Sequence, residues 1–233
     1  MKKIVFVLAG LLIACVINAQ SLDEIVKKYS AANNQDKVSA MSTVKITGKM
    51  SMMGMDMPME MWMKNPNKIK SVTNFNGQEI VQVFDGEKGF MINPMAGSNV
   101  PVEMTPEQLK DVIKSNLFQN SMADYLKNGK LTLEGEDNVS GKPVFKLKVD
   151  LDGVNSSTMF IDKSTYLLLK NITNVNQGGM AVTVESFPTD YTETSGILLP
   201  MKTTTSAAGM EIVTTFTKVE VDIPIDDSVF KIK

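Results

Sequence analysis

From Met41 onward the chain alternates in character with a period of two, and the alternating stretches are separated by only a few residues. VKITGKM, MPMEMWM, KIKSVTNF, EIVQVF and GFMI follow one another, with Gly54-Met55-Asp56, Asn65-Pro66-Asn67, Asn76-Gly77 and Asp85-Gly86 between them. Asn-Gly and Asp-Gly favour the tight turns that join antiparallel strands. Connections this short leave no room for a crossover helix, so a parallel sheet is excluded here. The pattern resumes in KLTLEG, VFKLKVDL, STMFID, YLLLKNIT, MAVTVESF, ILLPMKTTTS and MEIVTTFTKVEV, punctuated by Ser140-Gly141, Gly178-Gly179 and Gly196. The sum is about a dozen strands in a mainly β fold with helices.

Two helical regions break this pattern. Ser21 and Glu24 fit a capping box ahead of Leu22, Ile25, Val26 and Tyr29 at helical spacing, and Asn33-Asn34 ends the run. Residues 93–104 read as a loop with Pro94, Gly97 and Pro101. Thr105, Pro106 and Gln108 then open a helix carrying Leu109, Val112, Ile113, Leu117 and Phe118 on one stripe. A short helix over Met122–Lys127 follows. The Val229-Phe230 pair of the tail is expected to dock on a sheet edge.

The first twenty residues read as an export signal. Lys2 and Lys3 precede the apolar run IVFVLAGLLIA, which matches a signal peptide in length and falls short of the ~20 residues of a membrane span. Cleavage after Ala19 leaves residues 20–233 as a single domain in the periplasm. A second reading stays open: Leu12-Ile13-Ala14-Cys15 matches a lipobox, making 1–14 the signal and Cys15 a lipid-bearing membrane anchor. In either case the one cysteine cannot form an intrachain disulfide, and stability must come from a packed core.

Composition removes several classes of function. There is no histidine, hence no Ser-His-Asp arrangement and none of the commonest metal ligand. No phosphate-cradling loop or dinucleotide fingerprint occurs, and no cofactor or metal is implied. Without Lys2 and Lys3, 22 lysines face 26 acidic residues, and arginine is missing altogether, which argues against nucleic acid. Asp222, Asp226 and Asp227 form the one carboxylate cluster open to use by a hydrolase, and a solvated acidic face is the plainer reading. The chain is therefore expected not to be an enzyme.

Methionine is the exception to an ordinary composition. Nine of the 18 lie between residues 41 and 63, and Met57, Met59, Met61 and Met63 share one parity on a strand. Three uses remain open: core packing, a thioether site for a soft ion such as Cu(I), or an adaptable apolar surface for ligands of irregular shape. By the last reading Met57, Met59, Met61 and Met63 face the stripe of Leu109, Val112, Ile113, Leu117 and Phe118, with Phe90 and Met159 on the same side by parity.

KNPNKIKSVTNFNGQEIVQVFDGEKGFMINPMAG (64–97), GKPVFKLKVDLDGVNSSTMFIDKSTYLLLK (141–170), DYTETSGILLPMKT (190–203) and VEVDIPIDDSVFKIK (219–233) together resemble the outer-membrane lipoprotein-sorting family, the LolA/LolB-like superfamily, in the style of its Bacteroidetes members. The resemblance implies a strongly curved antiparallel sheet forming an unclosed barrel, with helices covering its concave face. It implies a periplasmic carrier or binding protein for the acyl chains of lipoproteins or other lipids. Partners would be those acyl chains and donor or acceptor proteins of the inner or outer membrane. The alternative on the same fold is an envelope sensor or protein-binding module. An arginine that latches the lid in the family has no counterpart, and Lys45, Lys49 or Lys64 would replace it only loosely.

The two processing readings predict different products. An intact mass equal to residues 20–233 establishes cleavage after Ala19. A mass exceeding residues 15–233 by acyl groups establishes lipidation of Cys15.

Overall fold

The computed structural model describes residues 20–118, 121–177 and 180–232. The proposed signal and Cys15 lie outside the described residues, as does the Gly178-Gly179 turn. The chain opens with α1 (Leu22–Ala32) and α2 (Gln35–Ala40), followed by β1 (Thr43–Met52), β2 (Met55–Lys64), β3 (Lys68–Phe75), β4 (Gln78–Phe84), β5 (Gly89–Asn93) and β6 (Ser98–Glu103). Helices α3 (Pro106–Lys114) and α4 (Met122–Lys127) come next. The chain then completes β7 (Leu131–Val139), β8 (Lys142–Asp150), β9 (Ser156–Asp162), β10 (Leu168–Gln177), β11 (Met180–Thr194), β12 (Ile197–Ala207) and β13 (Met210–Val221).

All 13 strands of the described residues join one antiparallel sheet in the order β6-β5-β4-β3-β2-β1-β13-β12-β11-β10-β9-β8-β7. The pairing of β1 with β13 splices the two halves of the chain together. Because β6 and β7 end the order, the curved sheet is not closed into a barrel. Hairpins at Met53-Gly54, Asn76-Gly77, Ser140-Gly141, Ser195-Gly196 and Ala208-Gly209 each place two residues at positive φ, the geometry of a two-residue turn that matches strand twist. No helix among the described residues is long and apolar enough to cross a membrane.

The register sorts every strand into two faces. On the helix side, Leu133, Leu147, Met159, Asn171, Ser186, Thr205, Ile212 and Met52 form one continuous row. Beside it run Val149–Ser157–Thr173–Val184–Ala207 and Pro188–Thr203–Thr214–Met50–Met57. The other half supplies Phe216–Gly48–Met59–Thr73–Ile80, Val219–Ile46–Met61–Ser71–Gln82–Met91 and Val221–Val44–Met63–Ile69–Phe84–Gly89. None of these six rows contains Asp, Glu or Lys. On the opposite, outer face Lys45 and Lys70 flank the Trp62 ring, and Lys170 pairs with Glu185.

Two expectations are corrected. Residues 98–103 form the edge strand β6 rather than loop. Pro101 hid it, since proline breaks an interior strand but is tolerated where no ladder N–H is required. The tail docks on the outer face instead of an edge. Phe230 is buried against Val81 and Val83, with Trp62, Val72 and Ile92 around them. A further feature concerns exposure. Met53, Met55, Met95, Val154, Met180 and Met210 are exposed large apolar residues, and all sit at or beside turns that the register places at one end of the sheet.

Gly48 is fixed by close approach at the β1–β13 splice. A Cβ there would lie 2.3 Å from the Thr215 carbonyl oxygen and 3.0 Å from the Phe216 Cα. Gly48→Ala is expected to destabilise the fold by about 1–3 kcal/mol through overpacking, read as a lower urea midpoint with unchanged slope.

Candidate functional site: a trough between sheet and helices

α3 is well started for a short helix. Thr105 and Gln108 form a reciprocal capping box and Pro106 occupies the first turn. Its apolar stripe, Leu109, Val112 and Ile113, packs with Leu117 and Phe118 onto a cluster that contains Met63, Ile69, Phe84, Ile197 and Leu199. Leu109 lies so close to Gly89 that a Cβ there would be 2.7 Å from its Cδ1. α1 and α4 pack on each other and cover the other half, where Ile25, Val26 and Met122 meet Leu131, Leu147, Val149 and Ile161.

Two details mark the segment after α3 as the joint of this cover. The Leu117 N–H donates to the Met63 sulfur at 3.4 Å. A thioether is a weak acceptor, so this fastening is weaker than a bond to a carbonyl. Asn116 is buried; its Oδ1 accepts from the Phe118 N–H, but its Nδ2 has no hydrogen-bond partner among the described residues. A buried donor left unsatisfied costs about 1–3 kcal/mol, and that cost is relieved when the segment lifts into water.

Between the α3 segment and the α1–α2 turn lies a cavity of 260 Å³. Val38, Leu117, Phe118, Leu168, Pro188 and Leu199 give it apolar walls, while Gln35, Ser39, Ser121 and Asp124 stand among its polar lining. Tyr29 and Tyr191 also line it. Burial pushes the Tyr29 hydroxyl up to about 12. Burial raises Tyr191 as well, the neighbouring Tyr29 adds to the rise, and the Tyr191 hydroxyl donates to the Leu168 carbonyl at 2.9 Å. A second opening of 450 Å³ lies along the polar edge of α3, facing Asp152, Asn155, Val175 and Asn176. Ligand pockets usually measure about 300–1,000 Å³, so the apolar cavity by itself is small for an extended ligand.

The residues singled out by sequence fall as follows. Met57, Met59, Met61 and Met63 share the helix-side face; Met61 and Met63 pack with Leu109, Val112, Ile113, Leu117 and Phe118, and Met57 and Met59 are buried outside that cluster. Met159 is on the same face but under α1 and α4, beside Leu147. Phe90 is on the outer face. It pairs with Val83, which packs against Phe230, so counting parity across the β4–β5 turn put it on the wrong side. Lys45, Lys49 and Lys64 do not latch the cover: they pair with Glu60, Asp56 and Asp227. Asp222 accepts from the Ser42 N–H, Asp226 accepts from the Ser228 N–H, and Lys64 and Lys68 hold Asp227 down at about 2. These carboxylates secure the tail, and an acid held at about 2 is unsuited to general-acid work near neutrality. Tyr191, Pro188 and Asn116 were not foreseen. Tyr29 carried a signal, as a member of the first apolar stripe.

Three outcomes follow from this geometry. Met63→Leu keeps volume but removes the acceptor, so the Leu117 amide should exchange with solvent faster while distant strand amides stay protected. Asn116→Leu removes the unsatisfied donor but also the acceptor of the Phe118 N–H, so the two effects oppose each other and the melting temperature should change little. The raised Tyr29 favours the neutral form in the folded state, so its contribution to stability is complete below pH 10 and lost as pH rises towards about 12. Tyr29→Phe should flatten the fall in stability across that interval in urea titrations.

No family model matches the chain, and no curated protein matches it. Solved structures do. A DUF1329 family protein from Desulfovibrio piger superposes with a TM-score of 0.61 at 16% identity, over 89% of this chain and 97% of that one. A LolA superfamily protein from Nitrosomonas europaea gives 0.60 at 12% identity, over 91% and 98%. A putative outer membrane lipoprotein-sorting protein domain from Vibrio parahaemolyticus gives 0.59 at 10% identity, over 88% and 95%. The likeness spans nearly the whole of each chain: this protein has the LolA-like fold, an unclosed antiparallel barrel with helices over its concave face.

Proposed function

We propose that the protein is a non-catalytic carrier or binding protein that shelters acyl chains, of lipoproteins or other lipids, between the curved sheet and the α3 segment. The carrying observation is the helix-side face itself. Six paired rows cross the sheet without a charged side chain, and the cover over part of them is held at its joint by a thioether and burdened by an unpaired amide. Burial of an acyl chain gains about 0.8 kcal/mol per CH₂, enough to displace such a cover once several groups are inserted. In the closed form the cavity is 260 Å³, so uptake requires Leu117 and Phe118 to move off the methionine row. Conformable methionines suit a site that packs on itself when empty and on ligand when filled. An export signal, read as residues 1–19 or as 1–14 ahead of a lipidated Cys15, fits this activity in the periplasm, free in the first case and anchored in the second.

The test is uptake of a fluorescent fatty-acyl probe by delipidated protein, with lipid mass spectrometry of the protein as purified. Phe118→Glu puts a charge on the cavity wall and should weaken uptake at least about tenfold with the fold retained. Protein that neither carries lipid nor takes up the probe would sink the proposal. A second reading, a module with a protein partner, is favoured by the exposed apolar residues at one end of the sheet. It predicts that Met53→Asp with Met210→Asp abolishes partner capture and leaves probe uptake unchanged.

A further inference from the structure

The uncovered part of the trough has a floor of its own. Between the apolar cavity at Pro188, Tyr191 and Leu199 and the polar opening at Val175 and Asn176, the helix side of β10–β12 presents Asn171, Thr173, Ser186, Thr203 and Thr205. Each is half-buried. They are hydroxyls and an amide, with no charge among them. The outer face of the same strands carries Lys170, Glu185 and Lys202. A strand face turned simply to water accepts charged residues, as that outer face does; the floor excludes them while staying polar.

The floor groups are held in place by one another. The Ser157 hydroxyl donates to Asn171 Oδ1 at 2.6 Å, the Asn171 amide donates to Thr173 Oγ1 at 3.1 Å, and the Ser186 and Thr205 hydroxyls are 3.2 Å apart. A hydroxyl has one donor and two acceptor sites, so these contacts orient the groups without exhausting them. Apart from Asp124 at the rim of the apolar cavity, itself an acid, charges begin at the polar opening, where Lys110 and Lys114 of α3 stand with Glu107, Asp111 and Asp152. With three acids against two lysines, that mouth offers a carboxylate no net attraction.

We infer that the trough selects amphiphiles whose head group is uncharged and rich in hydrogen-bonding oxygens, such as acylglycerols or alkyl glycosides, over amphiphiles with an ionised head. This rests on the acyl-binding reading above. The acyl chain lies towards Pro188 and Leu199, and the head lies over Ser186, Thr203 and Thr205. An ionised head in the same place would lose water and gain no counter-charge, whereas a glycerol or sugar exchanges water for hydroxyls already oriented to receive it.

The experiment is calorimetric titration of the whole processed protein with a monoacylglycerol, an alkyl glucoside and a fatty acid of the same chain length, each below its micelle concentration. The expected result is neutral heads bound at least about tenfold more tightly than the carboxylate. Ser186→Ala with Thr205→Val, which nearly keeps shape, should erase that preference and leave fatty-acid affinity unchanged. Thr205→Ser alone, which keeps the hydroxyl, should retain the preference and guards against a folding artefact. A fatty acid bound as tightly as the neutral amphiphiles, or a double variant that weakens all three equally, overturns the inference while acyl binding stands. Failure of all three to bind overturns both.

Discussion

An open sheet with a largely uncharged face must be covered by something, and this chain covers it incompletely. Among the described residues the thirteen strands leave two edges and a broad helix-side face, while the four α-helices are short. α1 and α4 seal one flank and α3 the other, and each rests on its own apolar cluster. The gap between the clusters holds the cavity and the hydroxyl floor. The gap exists because the cover comes in two pieces, rooted on opposite halves of a curved sheet.

The strands and their turns were legible from sequence because period two and X-Gly dipeptides are local signals, and α3 was legible through its capping box. Faces within a hairpin were equally legible: four methionines of one parity on β2 lie on one side, as a pleated strand demands. What failed were inferences that crossed a connection. Phe90 follows the Asp85–Lys88 turn, whose shape fixes which parity faces the helices, and no residue in it announces that shape. β6 was invisible because a proline at an edge looks like a proline in a loop. The floor was hidden for another reason. Asn171, Ser186 and Thr205 are neighbours only through two separate strand pairings, and hydroxyls at such positions look ordinary until those pairings are known.

The absence of arginine proves informative as well. The lysines that stood in for a latch all serve the outer face, where they pair with carboxylates or lie over aromatic rings. In their place the joint is fastened by a backbone N–H on a sulfur. A lid held by ionic forks opens at a cost set by charge separation. One held by packing and a thioether opens at a cost set by how well the methionines re-pack, which ties the energetics of the lid to the same residues that would meet a ligand.

The methionines also form a graded set towards oxidants. Met53 is 83% exposed at its turn and Met210 is 52% exposed, whereas Met63 beneath the lid is 1% exposed. Conversion of a thioether to the sulfoxide follows access and turns an apolar group polar. Peroxide will therefore spend itself first on the turns at one end of the sheet, where a sulfoxide disturbs no packing. Only later does it reach the sulfur that receives the Leu117 N–H. Among these methionines the turn residues are thus the most accessible to oxidant, and the sulfur that accepts the Leu117 N–H is the best shielded.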